Sequence, residues 1–272
     1  MPHATISALN IYPVKSCRGI ALRESRVTAT GLAFDRRWMV VDERGRFQTQ
    51  RELPRLSLIH TQLEAGGVRL SVNDMPDLLV APVGSGERRP VKVWKDECTG
   101  LDAGDEAARW LTQFLQKPTR LLCFDVGTER PCDPAWTQDV RAITMFADGF
   151  PFLVLSESSL ANLNTRLSQS LPMNRFRPNI VLNGIDAHDE DRIRELRTDT
   201  VTIRLVKACD RCSITTTDQA TGVRQGDEPL RTLKSYRWDA GLRGVTFGQN
   251  GILVSGAQQT LRVGQSFDIV WA

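Results

Sequence analysis

The stretch KACDRCSITTTD, Lys207 to Asp218, holds the one Cys-x-x-Cys of the sequence. Three chemistries use such a pair. A structural zinc site takes four ligands, either two such pairs or one pair with histidines at matching spacing. Here there is one pair, and the three histidines, His3, His60 and His188, lie far from it and from each other. A thioredoxin-like dithiol sits at a helix N-terminus, where the dipole favours thiolate. The flanks here, VTIRLVKA and SITTT, read instead as strands. The third use is a single working thiolate at Cys212, with Arg211 as its cationic neighbour and Cys209 as a structural companion. Such a soft ligand selects transition metals. Two cysteines buried as small apolar side chains are also a common outcome, and residue chemistry leaves that reading open.

Three further islands carry cations with little local acid. YPVKSCRG places Lys15 and Ser16 where the chain must turn after an X-Pro strand end. GLAFDRRW places Asp35, Arg36 and Arg37 before a strand, and NRFRPNIV places Arg175 and Arg177 before Pro178. Fixed cations and hydroxyl donors at strand ends are what a bound phosphate needs. A solvated surface explains any one island equally well, and their spacing does not show that they converge.

The elements that must position these residues are mostly strands. Strands are expected in TISALNIYPV, in a hairpin RRWMVVDERGRFQTQ turning at Glu43–Gly45, in LIHTQLEAGGVRLSV turning at Gly66–Gly67, and in one short strand, KVWKDECTG. GDEAARWLTQFLQK predicts a helix, with Trp110, Leu111, Phe114 and Leu115 on one face and Asp105 and Glu106 at its positive end. Residues 124–140 read as a linker. After it come a buried strand PFLVL, a helix capped by Ser156, and the strands NIVLNG, VTIRLVKA, SITTT, GILVSG and LRVGQSFDIVW, with a hairpin loop at Asp218–Gly222. The fold class is therefore mainly β with some helices, α+β rather than βαβ, as two barrel-like domains at 1–122 and 123–272.

The 272 residues suffice for two cores, and 41% hydrophobic with 25% charged residues is ordinary for a soluble protein. A net charge of +3 without basic runs argues against nucleic acid as a partner. The N-terminus lacks a signal-peptide pattern, and no apolar run approaches a membrane span, so no membrane partner and a cytoplasmic location are expected. The six cysteines show no disulfide framework and are expected as free thiols.

Taken together, YPVKSCRG, GLAFDRRWMVVD, PFLVLSESSLANLN, FRPNIVLNG, ACDRCSITTTDQATG and LRVGQ resemble, in order, MOSC-domain proteins that carry the MOSC N-terminal β-barrel. Within that family the sequence resembles the YcbX-type proteins and the mitochondrial amidoxime-reducing component, from about Ile6 to Val270. The resemblance implies a molybdenum cofactor, Mo-molybdopterin, with Cys212 as the protein ligand to molybdenum and as catalytic residue. It implies cofactor binding by Lys15, Ser16, Arg36, Arg177, Asn179 and Arg211, with Thr215 and Thr216 as supporting groups. At the level of the family alone it also carries pyridoxal phosphate binding.

The activity it implies is reduction of small N-hydroxylated substrates to amines. Asp210 is the adjacent candidate for a proton source, although a salt bridge to Arg211 or a turn explains it more simply. His188 is expected in a surface loop without a role. No iron–sulfur cysteine run follows LRVGQSFDIVWA, and no dinucleotide fingerprint occurs. A separate electron donor protein is therefore expected, a flavoprotein reductase or a ferredoxin- or cytochrome-like carrier. The alternatives are a carrier of the cofactor or of a Cys212 persulfide without turnover, and a binding barrel with no metal.

Overall fold

The computed structural model describes residues 3–272 except Val83 and Ser85. Its centre is a closed barrel of seven strands. In order around the barrel they are Phe152–Ser156, Ile180–Asn183, His3–Ile11, Ser266–Trp271, Ile193–Arg197, Thr202–Asp210 and Gly244–Ser255, and the last pairs back to the first. Six of the seven pairings are antiparallel; Phe152–Ser156 runs parallel to Ile180–Asn183. Closure leaves no strand of the ring with an unpaired edge. Ile6, Leu9, Val154, Ile180, Leu182, Leu196, Ile203 and Phe267 fill the inside.

The N-terminal half stays open. Four strands, Trp38–Val41, Arg120–Phe124, Asp96–Asp102 and Arg88–Val93, form one sheet, and His60–Glu64, Gly67–Ser71 and Leu78–Val80 form another. The helix Asp105–Leu115 seals them with Trp110, Leu111, Phe114 and Leu115, the face its periodicity predicts. Gln116, left-handed, caps it two residues before Pro118. The strand Arg120–Phe124 spans the expected 122/123 boundary, and the first strand of the chain belongs to the closed barrel.

Four local expectations change. LRVGQSFDIVW is not one strand but spans two, Thr260–Arg262, which pairs with Glu24–Thr28, and Ser266–Trp271 of the barrel. KVWKDECTG is not one strand but a hairpin whose two-residue turn is Trp94–Lys95. The turn of LIHTQLEAGGVRLSV falls on Ala65–Gly66, because Glu64 pairs with Gly67. SITTT is not a strand: Ser213–Thr216 is a short 3-10 turn. There the Thr215 and Thr216 hydroxyls bond back to the carbonyls of Cys212 (2.9 Å) and Ser213 (2.8 Å), and these local bonds outweigh the β preference of the side chains. The helices Pro134–Thr137 and Leu230–Lys234 have no counterpart in the sequence reading.

Candidate functional site

The strand Thr202–Asp210 carries the cysteine pair to its own end. Its pairing with Gly244–Ser255 shifts register between Leu205 and Lys207 and again between Ala208 and Asp210. Bulges of this kind re-aim side chains, and Lys207, Cys209, Asp210, Arg211 and Cys212 all line one cavity of about 400 Å³. The volume suits a cofactor-sized ligand.

The islands converge on this cavity. Lys15, Ser16, Arg36, Arg177, Asn179, Arg211 and Cys212 all line it, as do Arg175 and Thr215. So do Arg51, Trp94 and Asp148, which the sequence reading missed. Seven cationic side chains face two carboxylates, Asp148 and Asp210, so the cavity favours an anion. Arg37 is not in the lining; its guanidinium lies over the rings of Phe34 and Trp38, at 6.0 and 5.7 Å. Thr216 is buried outside it.

The cations differ in how much of their bonding is already used. Lys15 is buried, donating to Asp148 Oδ1 (2.6 Å) and to the Phe146 carbonyl (2.8 Å). Burial lowers its pKa, and the Asp148 charge opposes that. Burial alone would raise Asp148, but Lys15 and the indole N–H of Trp94 outweigh it and hold the carboxyl well below the usual range. Arg36 donates to Asp35 (2.5 Å) and to Asn179 Oδ1 (3.1 Å). Asn179 also accepts from the Leu153 N–H and donates to the Asn10 carbonyl, so its side chain holds Arg36 and two backbone segments. Arg36 and Arg177 sandwich the Tyr12 ring at 4.3 and 4.2 Å. Burial pushes the Tyr12 hydroxyl up to about 12 and Arg177 down to about 10.

Ser16, Arg36 and Arg177 all take left-handed backbone, with φ of 68°, 47° and 56°. Side chains other than glycine, asparagine and aspartate seldom adopt it, at a cost of order 1 kcal/mol or more each. Two cavity cations and one hydroxyl are thus presented from left-handed turns.

The two cysteines separate. Arg211 does not face Cys212, as its position suggested; it donates to Cys209 Sγ (2.9 Å) and to the Phe176 carbonyl (2.6 Å). Burial raises the Cys209 thiol, against the pull of Arg211. Cys212 is the exposed thiol, and its cation is Arg51, whose N–H points at Sγ from 3.4 Å. Arg51 follows Gln50, which is locked to Gln219 by reciprocal amide bonds of 3.0 and 2.8 Å, and Arg224 donates to the Arg51 carbonyl. Asp210 pairs with Lys207 (3.1 Å), not with Arg211.

The other four cysteines are buried, and all six are free. Among the described residues no three His, Cys, Asp or Glu side chains gather as a ligand set for a metal. His188 is not in a plain surface loop: it packs edge-on against Tyr236 and Phe247, and its backbone N–H donates to Ser159. No helix of the described residues is long and apolar enough to cross a membrane.

A family model described as MOSC N-terminal beta barrel domain matches residues 3–118, and one described as MOSC domain matches residues 142–268. Human mitochondrial amidoxime-reducing component 1 is 41% identical over 244 residues, covering 86% of this chain and 72% of the relative. Human mitochondrial amidoxime reducing component 2 is 39% identical over 245 residues, with the same coverage of 86% and 72%. Among solved structures, YiiM from Geobacillus stearothermophilus aligns over 53% of this chain and 71% of its own, at 13% identity and a TM-score of 0.32. With both domain models matched in order and this identity over 72% of each relative, the chain belongs to the family that joins a MOSC N-terminal β-barrel domain to a MOSC domain and includes the mitochondrial amidoxime-reducing components.

Proposed function

We propose that this protein reduces N-hydroxylated compounds, using a molybdenum cofactor held in the cavity and electrons from a separate donor protein. The observation that carries the reading is the meeting of one exposed thiol, Cys212, with seven cationic side chains in a single cavity. The donor set fits such a group. A lone thiolate serves where the ligand brings its own sulfurs to complete a soft set, and the cations suit its phosphate. Arg175 Nε and Arg211 Nε are buried without a partner among the described residues, which leaves donors for an anion. The relatives named amidoxime-reducing components support the substrate class.

In this reading Cys212 Sγ ligates the metal and Arg51 orients the sulfur. Arg175, Arg177 and Arg211 hold the anionic end, and Asn179 and Asp35 keep Arg36 in place. The bound group supplies two-electron removal of oxygen from an N–O bond; with two electrons and two protons, N–OH becomes N–H and water. Pyridoxal phosphate fits less well. Its covalent anchor is a neutral lysine amine, and both cavity lysines are ion-paired, Lys15 to Asp148 and Lys207 to Asp210.

The test is elemental analysis of protein expressed with added molybdate, followed by turnover of benzamidoxime with reduced methyl viologen as electron source. We expect near-stoichiometric molybdenum and turnover, both lost in Cys212→Ser and largely kept in Cys209→Ser. Molybdenum without turnover, or a persulfide on Cys212, would move the protein to the carrier class. Absence of molybdenum in a host that makes the cofactor would overturn the reading.

A further inference from the structure

Trp94 is an unusual residue for its place. It occupies a two-residue hairpin turn with φ of 57°, a conformation that glycine or asparagine takes readily and a bulky side chain does not. Despite its size, 49% of it stays exposed. Strain and exposed apolar surface are both unfavourable, and nothing in the hairpin's own pairing requires an indole.

What the indole does is fixed by three contacts. Its N–H donates to Asp148 Oδ1 at 3.0 Å. The Arg51 guanidinium lies over the ring, 4.5 Å from its centre. The Phe47 ring meets it edge-on, with centroids 5.3 Å apart. These contacts hold the ring in one orientation at the wall of the cavity, and Arg51 in turn reaches Cys212 Sγ. Trp94 is therefore two contacts from the sulfur, held by three contacts, and still about half exposed.

From this geometry we infer that the open part of the Trp94 ring is the platform on which a flat, conjugated N-hydroxylated substrate lies, so that this residue sets preference for planar over saturated N-hydroxyl compounds. The inference rests on the proposed reductase function. A conjugated C=N–OH group attached to an aromatic ring presents a π face that stacks on indole, while a small saturated hydroxylamine presents none. A preorganised aromatic surface also costs little side-chain entropy on binding.

The experiment compares benzamidoxime with N-methylhydroxylamine in wild type, Trp94→Gly and Trp94→Tyr, each checked for molybdenum content. Glycine is chosen because it adopts the turn's backbone freely. In Trp94→Gly the ratio of kcat/KM for benzamidoxime to that for N-methylhydroxylamine should fall about three- to tenfold, the range expected for one aromatic stack. The change should lie in KM for benzamidoxime, and Trp94→Tyr should restore most of the ratio. Calorimetric titration of benzamidoxime into the oxidised protein should show the same loss of affinity in Trp94→Gly. An unchanged ratio, or equal loss for both compounds, would overturn the inference while leaving the reductase reading intact. No turnover of either compound by molybdenum-loaded wild type would overturn the reading on which it rests.

Discussion

In the closed barrel, each of the seven strands has a partner on both sides, and the barrel presents its thiols at the run-off of one of them, Thr202–Asp210. In the open N-terminal half the sheets do not close, and Ser16, Arg36 and Trp94 reach the same cavity from turns with left-handed backbone. Arg51 comes from an irregular segment between the strand Trp38–Val41 and the 3-10 turn Pro54–Leu58. The barrel half delivers its groups from the bulged end of one strand and from the left-handed backbone at Arg177, the open half from turns and an irregular segment locked through long-range side-chain bonds such as Gln50 to Gln219. Cys212 stands just past the strand, at the start of the 3-10 turn Ser213–Thr216. The cations come from both halves, Lys15, Arg36 and Arg51 from the first and Arg175, Arg177, Lys207 and Arg211 from the second.

The largest effect is expected from breaking the closure itself. Gly248, with φ of 81°, lies opposite the strand Phe152–Ser156; a Cβ there would stand 2.5 Å from Leu155 Cδ1 and 2.8 Å from the Val154 carbonyl oxygen. Gly248→Ala therefore meets both backbone strain and a clash with main chain, together about 3 kcal/mol or more. Thermal melting should fall by roughly 6–10 °C. An unchanged melting temperature would mean that the barrel does not depend on the close approach at this seam.

A smaller effect is expected in the array of turns. Tyr12 keeps Arg36 and Arg177 apart while attracting both. Its hydroxyl donates to the Pro178 carbonyl at 3.2 Å. Tyr12→Leu keeps apolar volume but removes both cation–π contacts and lets two like charges face each other, a loss of about 2 kcal/mol. Urea denaturation measures it. A loss below about 0.5 kcal/mol would show that Asp35 and the Cys17 carbonyl hold the two arginines without the ring.

The same contrast decides what was legible in the sequence. The barrel strands and the helix Asp105–Leu115 announce themselves through apolar runs or periodicity, because regular elements bury side chains at regular intervals. The cation islands and Cys212 stand out because they are ordered motifs. Arg51, Trp94 and Asp148 did not, since each lies in an irregular segment whose neighbours are set by distant residues. Trp94 reads as part of a strand because it is itself aromatic and follows the β-branched Val91 and Val93; the left-handed turn is invisible to propensity. Adjacency also misleads. Arg211 is next to Cys212 in the chain, but the end of an extended strand points successive side chains apart, and the arginine turns to Cys209 instead.

The smallest effect separates the two halves by how they treat a buried charge. Lys15, at the cavity, has Asp148. Glu190, fully buried beside the barrel, has no cation among the described residues: Oε2 accepts from the hydroxyls of Ser156 (2.9 Å) and Ser159 (2.8 Å), and Oε1 from the Ser156 N–H (3.4 Å). Burial raises the Glu190 pKa, and the hydroxyl donors only partly offset that. A carboxyl whose pKa is higher folded than unfolded binds its proton more tightly in the folded state. Its contribution to stability is therefore present below the unfolded value, about 4.3, and is lost as pH rises through the folded one. Glutamine, which can still accept from the N–H and bond both serines, has no such loss. The stability difference between Glu190→Gln and wild type should accordingly shift in favour of the variant as pH rises from 4 to 8, seen as diverging urea midpoints. A difference that stays constant with pH would mean that the three donors replace water completely, and that this half of the molecule can hold an unpaired carboxylate as cheaply as the cavity holds a paired lysine.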